Sequence, residues 1–536
     1  MILSSRLQAK PAVLSRIQDK VSTWLGKAAS RIEGRVPVFI AILLALYLWV
    51  LKSERIKPLW HDELYTYYIA QAHTFSQMMT WIRTIDLNPP LYYIAARLVF
   101  HVVQPSKAAV RIPSIVAYFV AVISVYQLVR RRFTPLYGFI GALVLLGSSF
   151  NVYSYEARPY AMVLAFMGIL SLGWQRAIEE DRSRSWIALL FVVVGGFGML
   201  LSHVLALVAY AALLLTEFIR FLLCRKPDWI LWICLLLPLS ACVTYFGPIQ
   251  NHDAGAFPAV YQASIVKLLS AYSDIWIGIA SLFATGAVAI ILLIPEKLPA
   301  NNNKKYGFSL PEIILALGFC CVPLVITLVF MHSHSEYSPR YGMAAIFGAA
   351  ILVPWLIAQW TGTSSRAGLV CSFIFLFGVI TPSSIARHLQ NVIQPQNTSS
   401  ILTGESTVSL AQVMPELPLV DASGLTFLEM NSRENSAFLS RVYYLTDRRA
   451  AIRYANATIF EGLPSLIGKF PIYGDIMPYQ KFVQQHTTFL VLGTYSYPED
   501  WLLRKLLADH ATLRFLGKFP SDYKDQDLYE VTLAHP

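Results

Sequence analysis

The chain has 536 residues, of which 56% are hydrophobic and only 14% are charged, and its mean hydropathy is +0.51. Soluble domains carry roughly 25% charged residues, so these proportions exclude an ordinary water-soluble enzyme and indicate a chain that lies mostly in lipid. The 28 Gly and 29 Pro are close to average usage, which excludes collagen-like and low-complexity disordered classes.

The net charge of +11 is unevenly distributed along the chain. From Arg387 to the C-terminus there are 13 Lys and Arg against 15 Asp and Glu, a net charge of −2, which leaves +13 on the first 386 residues. Basic residues between apolar segments follow the positive-inside rule of membrane proteins, so we expect membrane lipids and no nucleic acid as partners. All six cysteines lie in or beside apolar runs, which excludes a disulfide scaffold and a CxxC zinc site.

The first 35 residues are basic and amphipathic, with seven Lys or Arg and two acids. Apolar side chains from Leu14 to Ala28 recur at the three-to-four spacing of a helix. This pattern predicts a helix at the cytoplasmic surface of the membrane. The segment lacks the apolar core and cleavage site of a signal peptide, so we expect it to be retained.

Apolar runs long enough to cross a bilayer follow one another from residue 36 to residue 385. They cover 36–51, 108–129, 135–150, 159–175, 186–202, 204–222, 229–247, 274–295, 312–331, 340–360 and 367–385. The run 89–103 is short, begins with two prolines and carries Arg97. A central Arg in lipid costs about 3 kcal/mol or more, so this run predicts a helix on the membrane surface.

The charges of the loops favour eleven spans with a cytoplasmic N-terminus. Five basic loops, among them Arg130–Arg132 and Glu296–Lys305, are then cytoplasmic, and only the basic residues between Lys52 and Lys57 lie outside. We therefore predict a transmembrane domain at 36–385 with a large outer loop at 52–107. The chain would be a multi-pass protein of the cytoplasmic (inner) membrane whose C-terminal part is periplasmic or otherwise extracytoplasmic.

Residues 386–536 are more polar and alternate strand-like with helix-like runs, which predicts an extracytoplasmic α/β domain behind a polar linker at Gln394–Glu405. The predicted strands are Leu417–Glu429, Thr487–Gly493 and Leu528–Leu533, and the predicted helices are Ser436–Leu445 and Trp501–Leu507.

Ionisable and aromatic residues gather in the loops that this topology places outside. The candidates are His61, Asp62, Glu63, Tyr65, Asn88 and Tyr92 in the first loop, Glu156, Arg158 and Tyr160 in the second, His203 at a later turn, and Glu336, Tyr337, Arg340 and Tyr341 in HSHSEYSPRY. Each group alone is explained by an interfacial loop, a local ion pair or a buried histidine. Together they lie on one membrane face, while the centres of the spans are nearly free of charge, which disfavours a transporter.

This arrangement suits chemistry on a lipid-linked anionic substrate at the outer interface. Arginines can hold a phosphate through two parallel hydrogen bonds. A carboxylate can remove a proton from an attacking hydroxyl group. Aromatic rings can pack on sugar rings or isoprenoid chains.

Six motifs in a fixed order connect the chain to a known family. They are the Asp62-Glu63 pair after the first span, NPPLYY, RIPS at Arg111–Ser114, YSYEARPYA at Tyr153–Ala161, Ser202-His203, and SPRY before a late span. Over about residues 36–360 they resemble bacterial membrane glycosyltransferases of family 39, GT-C enzymes related to protein O-mannosyltransferases and the lipid A aminoarabinose transferase. The C-terminal α/β part looks like the outer domain of some bacterial members.

The resemblance implies transfer of a monosaccharide from a polyprenyl-phosphate carrier to a glycan, lipid or protein acceptor, with inversion at the anomeric carbon. Asp62 matches the family's catalytic aspartate and would be the general base, and Glu63 would shape the pocket or contact the acceptor. Glu156 and Arg158 match the second-loop motif. Arg340 and His203 are candidates for binding the lipid phosphate, whose leaving requires positive charge.

We expect no cofactor. A divalent metal ion is the alternative, because some GT-C enzymes hold one in an acidic cluster, but EARPY supplies a single carboxylate and no DxD. Two other functions stay open at this point: a transporter or flippase of lipid-linked sugars, and a catalytically inactive GT-C-like binding protein.

Overall fold

A computed structural model describes residues 2–53, 58–86, 88–179, 185–225, 227–245, 256, 258–294, 307–333, 335–393, 410, 412–519 and 526–534. The predicted linker Gln394–Glu405 and the predicted basic loop Glu296–Lys305 lie outside these residues.

The described residues up to 393 are mainly helical. The helices are α1 Ile2–Glu33, α2 Val36–Ser53, α3 His61–Ala70, α4 Phe75–Trp81, α5 Leu91–Val102, α6 Ile112–Arg130, α7 Pro135–Leu146, α8 Tyr160–Ala177, α9 Trp186–Leu200, α10 Ala206–Cys224, α11 Trp229–Leu236, α12 Ile265–Leu293, α13 Leu310–Ser333, α14 Ala344–Thr361 and α15 Ser365–Ile393. Short 3₁₀ segments precede α6, α8 and α14 at Ala109–Arg111, Ser149–Ser154 and Pro339–Gly342.

Every predicted span contains all or part of one of these helices, so the prediction of a mainly helical protein with several apolar spans is confirmed at that level. In the described part of the chain, five helices are long and apolar enough to cross a membrane, or six if α1 and α2, bent by 91° at their junction, count as one. The run at 229–247 is interrupted, since α11 gives way to a 3₁₀ segment that contains Pro238, a residue without a backbone donor. The number of eleven spans stays a prediction.

The run that we excluded from the spans forms α5, which has only 12 residues. Tyr92, Tyr93 and Ala96 are buried on one side of α5, while Leu98 and Val102 are exposed. The side chain of Arg97 donates to the backbone carbonyls at the end of α3, with 3.3 Å to one and 2.5 Å to another. The charged side chain of Arg97 is therefore hydrogen-bonded within the protein. The location of α5 on the membrane surface stays a prediction.

The basic N-terminal segment forms α1, which packs against α15. Arg366 donates to the hydroxyl of Ser22 at 2.7 Å, and Ser365 donates to the carboxylate of Glu33 at 2.8 Å. The position of α1 on the cytoplasmic leaflet stays a prediction.

A polar network joins α6, α8 and α13 at the ends where basic loops were predicted. Glu312 accepts hydrogen bonds from Arg132 at 2.6 Å and from Gln175 at 2.7 Å, and Arg131 pairs with Glu179 at 2.6 Å. Because a buried charge is costly unless it is paired, these bonds fix the relative positions of the three helices. The opposite ends of the same helices carry the candidate site.

The C-terminal part contains a six-stranded sheet in the order β3-β2-β1-β4-β6-β5, in which β1 to β4 are parallel and β5 and β6 are antiparallel to their neighbours. The strands are β1 Leu419–Asp421, β2 Val442–Thr446, β3 Asp475–Pro478, β4 Thr488–Gly493, β5 Thr512–Phe519 and β6 Gln526–Thr532. The accompanying helices are α16 Gly424–Arg433, α17 Ser436–Leu439, α18 Arg448–Ala455, α19 Tyr479–Gln485 and α20 Leu502–Ala508. The predicted α/β composition of this part is confirmed.

Two of the predicted elements here were wrong in part. The predicted strand Leu417–Glu429 ends at Asp421, and the rest of its apolar run forms α16. The predicted helix Ser436–Leu445 ends at Leu439, because the following VYYLT is rich in β-branched and aromatic residues and forms β2. Short apolar runs do not distinguish helix from strand by periodicity.

Aromatic side chains join the C-terminal part to α3. Phe460 packs edge-on against the ring of His61, with 5.2 Å between ring centroids, and Phe470 packs against Tyr65 and Tyr68 at 5.5 Å and 5.0 Å. The α/β part therefore covers the helix that carries the Asp-Glu pair.

Candidate active site

Asp62 is the point where three separate loops meet. Helix α3 begins at His61, so Asp62 lies in its first turn, where the helix dipole favours a carboxylate. Its Oδ2 atom lies 3.4 Å from a terminal nitrogen of Arg340 and 3.8 Å from Nε of Arg158. The side chain of Asp62 is 22% exposed, which leaves it accessible to a ligand.

The surroundings of Asp62 stabilise its ionised form. Burial raises the pKa of Asp62, but the charge of Arg158, a hydrogen bond from His61 and the charge of Arg340 together outweigh burial and hold the pKa well below its ordinary value. Asp62 is therefore a carboxylate over the whole physiological pH range.

A second acid, Asp86, shares Arg158 with Asp62. Arg158 donates to Oδ2 of Asp86 at 3.0 Å, and the same oxygen accepts the hydroxyl of Tyr93. Asn88 donates to Oδ1 of Asp86 at 2.9 Å, which assigns the candidate Asn88 to this network. Asp86 ends a π-helical turn at Ile82–Asp86, a type of turn that is frequent at functional sites. Sequence reasoning missed Asp86 as a site residue, although its position two residues before Asn88 was a signal.

Three aromatic rings surround the guanidinium group of Arg340. Its central carbon lies 5.6 Å from the ring centroid of Trp60, 5.5 Å from that of Tyr160 and 5.6 Å from that of Tyr341. Such contacts attract a cation to the ring face and here fix its orientation. Trp60 was also missed as a site residue, and its place directly before the HDE sequence was the available signal.

The two arginines are close to each other because both contact the same oxygen of Asp62. Their contacting nitrogens cannot be farther apart than the sum of 3.4 Å and 3.8 Å, well within the roughly 10 Å that one phosphate could bridge directly or through water. Each arginine therefore contacts an acid outside its own loop, namely Asp62. Glu336 lies within electrostatic reach of Arg340, but burial raises the pKa of Glu336 more than Arg340 lowers it.

Glu63, in contrast, is fully buried in a supporting network. Its carboxylate accepts two hydrogen bonds from Arg111, at 2.7 Å and 2.5 Å, and one from the backbone amide of Ala157 at 2.6 Å. Tyr92 is buried nearby, where its hydroxyl contacts Ser114 at 2.8 Å. These residues connect α3, the RIPS motif and the EARPY loop, and Arg111 was missed although RIPS contained it.

The second-loop motif contributes backbone as well as side chains. The carbonyl of Glu156 accepts a hydrogen bond from Ser114 at 2.5 Å, which fixes the loop directly before Arg158.

The loop that carries Glu336 is held by a neighbouring segment. Tyr337 in this loop is buried, and its backbone amide donates to the carbonyl of Tyr261 at 2.9 Å.

His203 lies in the turn between α9 and α10, beside Arg340. Its ring centroid is 5.3 Å from that of Tyr160 and 6.1 Å from that of Tyr341, and its Nδ1 accepts the backbone amide of Leu205 at 3.1 Å. Burial, followed by the charges of Arg158 and Arg340, lowers the pKa of His203 to about 3. His203 is therefore neutral at physiological pH and can offer an N–H donor but no positive charge.

A small cavity of about 30 Å³ lies beside these side chains, among residues of α8, α10, α13 and α14. Its polar lining residues are Tyr160, His203, Arg340 and Tyr341. Its apolar lining residues include Val163, Ala206, Ala209, Val322 and Ala344. The lining of the cavity thus combines a cation with hydrocarbon.

His61 lies on the other side of Asp62. Its Nδ1 is 3.5 Å from Oδ1 of Asp62, and its ring packs at 4.8 Å from the ring of Tyr65. Within the described residues no group of three His, Cys, Asp or Glu side chains could hold a metal ion. Independence from metal stays a prediction.

Comparison with known proteins supports the resemblance drawn from the motifs. Residues 87–246 match the family described as dolichyl-phosphate-mannose-protein mannosyltransferase. Two crystal structures of ArnT from Cupriavidus metallidurans, one in the apo state and one bound to undecaprenyl phosphate, each align with a TM-score of 0.53 over 93% of this chain and 98% of theirs, at 12% identity. No curated protein is significantly similar in sequence. At this identity the structural likeness establishes the fold alone, and the predicted family resemblance is confirmed by fold and motif together.

Proposed function

We propose that this chain, a GT-C glycosyltransferase of the protein-mannosyltransferase and ArnT type, transfers a monosaccharide from a polyprenyl-phosphate carrier to an acceptor hydroxyl at the outer membrane face, with inversion at the anomeric carbon. The single observation that carries this proposal is the convergence of Arg158 and Arg340 on one oxygen of Asp62.

The two arginines would bind the phosphate of the donor. A guanidinium group presents parallel donors that match two phosphate oxygens, and a phosphate at the lipid interface needs such donors to replace its lost hydration. Arg340 is already oriented by its three aromatic neighbours, so little ordering is required when the phosphate arrives. The solved ArnT complex with undecaprenyl phosphate supports a ligand of this class.

The apolar cavity beside Arg340 would receive the first carbons of the isoprenoid chain. Its volume of about 30 Å³ accommodates only a few atoms, so the rest of the chain would lie outside it, against lipid. Val163, Ala206 and Val322 supply the hydrocarbon surface next to the cation.

Binding of the donor would also activate Asp62. In the unliganded site both arginines neutralise Asp62, and the phosphate would draw their positive charge toward itself. The pKa of Asp62 then moves back toward its ordinary value, which makes the carboxylate a better base. This order of events ties proton removal to the presence of the donor.

The transfer itself is a single displacement. Asp62 removes the proton of the acceptor hydroxyl, the oxygen forms a bond to the anomeric carbon, and the bond from that carbon to the phosphate oxygen breaks. The carrier phosphate leaves with one additional negative charge, which Arg158 and Arg340 stabilise. Attack on the side opposite the leaving phosphate inverts the configuration.

The test is a transfer assay with the purified chain in lipid nanodiscs, using undecaprenyl-phosphate-linked mannose or aminoarabinose with a radiolabelled sugar and a membrane extract from a deletion strain as the acceptor source. We expect release of undecaprenyl phosphate and movement of label into the extract. Asp62→Asn should reduce both by about 10²–10⁴-fold, and Asp475→Asn, which changes an exposed acid of the sheet, should leave both intact.

Two outcomes would contradict the proposal. If the chain in sealed vesicles moves the labelled donor between leaflets without releasing undecaprenyl phosphate, it is a transporter of lipid-linked sugars. If it binds the donor but neither transfers nor moves it, it is an inactive binding protein.

A further inference from the structure

Helix α1 lies at the opposite end of the membrane part from the candidate active site. Helix α14 begins next to Arg340 and ends at Thr361, and Arg366, near the start of α15, donates to Ser22 of α1 at 2.7 Å. The 18 residues of α14 correspond to an axis of about 27 Å, close to the hydrocarbon thickness of a bilayer. This distance places α1 at one face of the membrane and Arg340 at the other.

The angle between α1 and α2 gives the direction of α1 relative to the membrane. The two helices are bent by 91° at their junction. The 18 residues of α2 are strongly apolar and are long enough to cross most of the hydrocarbon core. A helix at right angles to such a segment lies in the plane of the membrane surface, where amphipathic helices bind.

One side of α1 is buried against the protein. Ser22, Leu25 and Ala29 are buried, and their spacing of three and four residues places them on one face of the helix. The side chain of Gln18 donates to the carbonyl of Leu292 at the end of α12, at 2.9 Å. These contacts determine which face of α1 points away from the described parts of the protein.

The opposite face carries basic residues around an exposed tryptophan. Four positions along this face fall within an arc of about 60°, and all four are exposed. We refer to them as the basic stripe, which consists of Lys20, Trp24, Lys27 and Arg31. Trp24 is 62% exposed, although tryptophan is usually largely buried. The stripe thus combines three positive charges with one large amphipathic ring.

A shallow groove of about 350 Å³ lies along the basic stripe. It is lined by Asp19, Lys20, Thr23, Trp24 and Lys27. Asp19 is the single acid among these lining residues, and its backbone carbonyl accepts the hydroxyl of Thr23 at 2.8 Å. The lining of the groove therefore has a net positive charge and includes an aromatic ring.

These side chains suit the headgroup region of a membrane. Lysine and arginine lay their hydrocarbon stems along apolar surface and keep the charged group at the level of the phosphates. Tryptophan is enriched at the boundary between headgroups and hydrocarbon. Near an anionic membrane each basic residue strengthens binding by about fivefold, whereas a zwitterionic lipid has no net charge to attract it. The groove therefore favours an anionic phospholipid.

We propose that the basic stripe of α1 binds the headgroups of anionic phospholipids in the leaflet opposite the candidate active site. The phosphodiester and glycerol of one such lipid occupy the groove between Lys20 and Lys27, and the ring of Trp24 inserts beside them. Arg31 contacts a neighbouring headgroup. The inference is independent of the proposed function, because it requires no transfer of sugar.

The first test measures the lipid preference of the purified full chain. Phosphatidylglycerol or phosphatidylcholine is titrated into the protein in neutral detergent, and bound lipid is counted by native mass spectrometry. The test variant combines Lys20→Gln, Lys27→Gln and Arg31→Gln. The control variant removes three exposed basic residues of the C-terminal part in the same way, namely Arg449, Arg453 and Lys481.

We expect the wild type and the control variant to bind phosphatidylglycerol more tightly than phosphatidylcholine. The test variant should lose about 10²-fold in affinity at the strongest phosphatidylglycerol site, which corresponds to about fivefold for each of three charges. The preference of the wild type should weaken as ionic strength rises, because salt screens the attraction.

The second test locates Trp24 and leaves the basic residues unchanged. In nanodiscs that contain both lipids, the fluorescence of the wild type minus that of Trp24→Phe isolates one of the 12 tryptophans. We expect this difference signal to be quenched more when phosphatidylglycerol is the brominated lipid than when phosphatidylcholine is, because the anionic lipid gathers at the stripe. This measurement remains decisive if the triple variant fails to fold.

Three results would overturn the proposal. If the wild type binds both lipids equally, the stripe does not select anionic headgroups. If the test variant keeps the wild-type preference, the anionic lipid binds elsewhere on the protein. If neither brominated lipid quenches Trp24, the stripe faces water or a protein partner instead of the membrane. Sugar transfer is measured separately, so its failure would leave this proposal untouched.

Discussion

At the scale of single residues, Asp62 is surrounded by more positive charge than its own ionisation requires. Two guanidinium groups face a single carboxylate oxygen, and one of them is shared with Asp86. Together, Asp62 and Asp86 balance the charges of Arg158 and Arg340. Under the proposed function, the donor phosphate therefore competes with Asp62 for these two arginines.

Replacing the carboxylate tests this arrangement directly. Asp62→Asn should reduce transfer by about 10²–10⁴-fold, because only the proton acceptor is lost. Binding of undecaprenyl phosphate, measured by isothermal titration in nanodiscs, should persist or become tighter, since the amide no longer competes with the phosphate for Arg158 and Arg340. Near-normal turnover would assign the base to another carboxylate.

Replacing an arginine by lysine tests the geometry of phosphate binding rather than its charge. Arg340→Lys keeps the positive charge but removes the planar pair of donors and the stacking on Trp60, Tyr160 and Tyr341. We expect the KM for the donor to rise by about tenfold or more, equivalent to about 1.4 kcal/mol. Unchanged donor use in Arg340→Lys would contradict a bidentate role, and Arg514→Lys on the exposed surface is a matched control.

His203 gives a prediction about acid stability. The unfolded chain binds a proton at this histidine near pH 6.5, whereas the folded chain does so only near pH 3. The unfolded state therefore binds more protons between these values, and this residue makes the fold less stable as pH falls through that window. Between pH 7.5 and pH 4.5, the thermal midpoint of unfolding should decrease less for His203→Gln than for the wild type. Both proteins are measured at the same ionic strength, because salt screens charge interactions.

The contrasting case is an exposed histidine. His73→Gln, which replaces an exposed histidine of the first outer loop, is the matched control for the measurement on His203→Gln. A His203→Gln curve that is parallel to the wild-type curve would show that the residue is protonated in the folded protein.

Sequence reasoning could find the residues of the site because they are unusual for their positions. Charged side chains at the outer ends of apolar helices need a reason, and Asp62, Arg158 and Arg340 each stood out in this way. Asp86 did not, because an acid in a polar loop is ordinary until the fold brings Arg158 to it. The choice of partner for an arginine depends on tertiary structure that spacing alone does not contain.

At the scale of elements, the buried pair of Glu63 and Arg111 fixes α3 against two other loops. Glu63 is 0% exposed and Arg111 5%, and the carboxylate also accepts the amide of Ala157. Removing one partner would leave the other charge buried without compensation, which typically costs about 3–5 kcal/mol. The pair thus holds the helix turn that carries Asp62 in position, and a catalytic role of Glu63 stays a prediction.

This role predicts a loss of both stability and activity. Arg111→Met should lower the free energy of unfolding by about 3 kcal/mol and reduce kcat through displacement of Asp62. The matched control is Arg514→Met, which breaks the exposed pair with Glu530 and should cost less than about 1 kcal/mol. Stability is measured by thermal or denaturant unfolding in detergent, and equal effects of the two variants would contradict the supporting role of Glu63.

The elements that sequence patterns predicted well are the long ones. Each apolar run of the membrane part contains a helix, because sustained hydrophobicity over many residues leaves few alternatives in lipid, and the run at 229–247 is interrupted by a 3₁₀ segment. In the α/β part, the runs at Leu417–Glu429 and Ser436–Leu445 each contain a strand and a helix in succession. Such short segments take their structure from their neighbours in the sheet.

At the scale of the whole molecule, topology decides on which side of the membrane the site lies. The placement of basic clusters predicts that a reporter fused after Arg132 is cytoplasmic and that one fused after Gly404 is external. Alkaline phosphatase and a fluorescent protein, which are active on opposite sides of the bacterial inner membrane, provide complementary readouts. An external reporter after Arg132 would contradict the eleven-span arrangement and would invert the side on which we place the site.

The contact between Phe460 and His61 has a consequence for biogenesis. A ribosome completes α3 within about the first seventh of the chain and reaches Phe460 only in the last seventh. Until that late segment has been synthesised and has folded, the ring beside Asp62 lacks the neighbour that orients it. A nascent or truncated chain could thus be inserted and could carry every charged residue of the centre, yet its imidazole would stay misaligned. Under the proposed function, the site would therefore be complete only after the last part of the protein has folded.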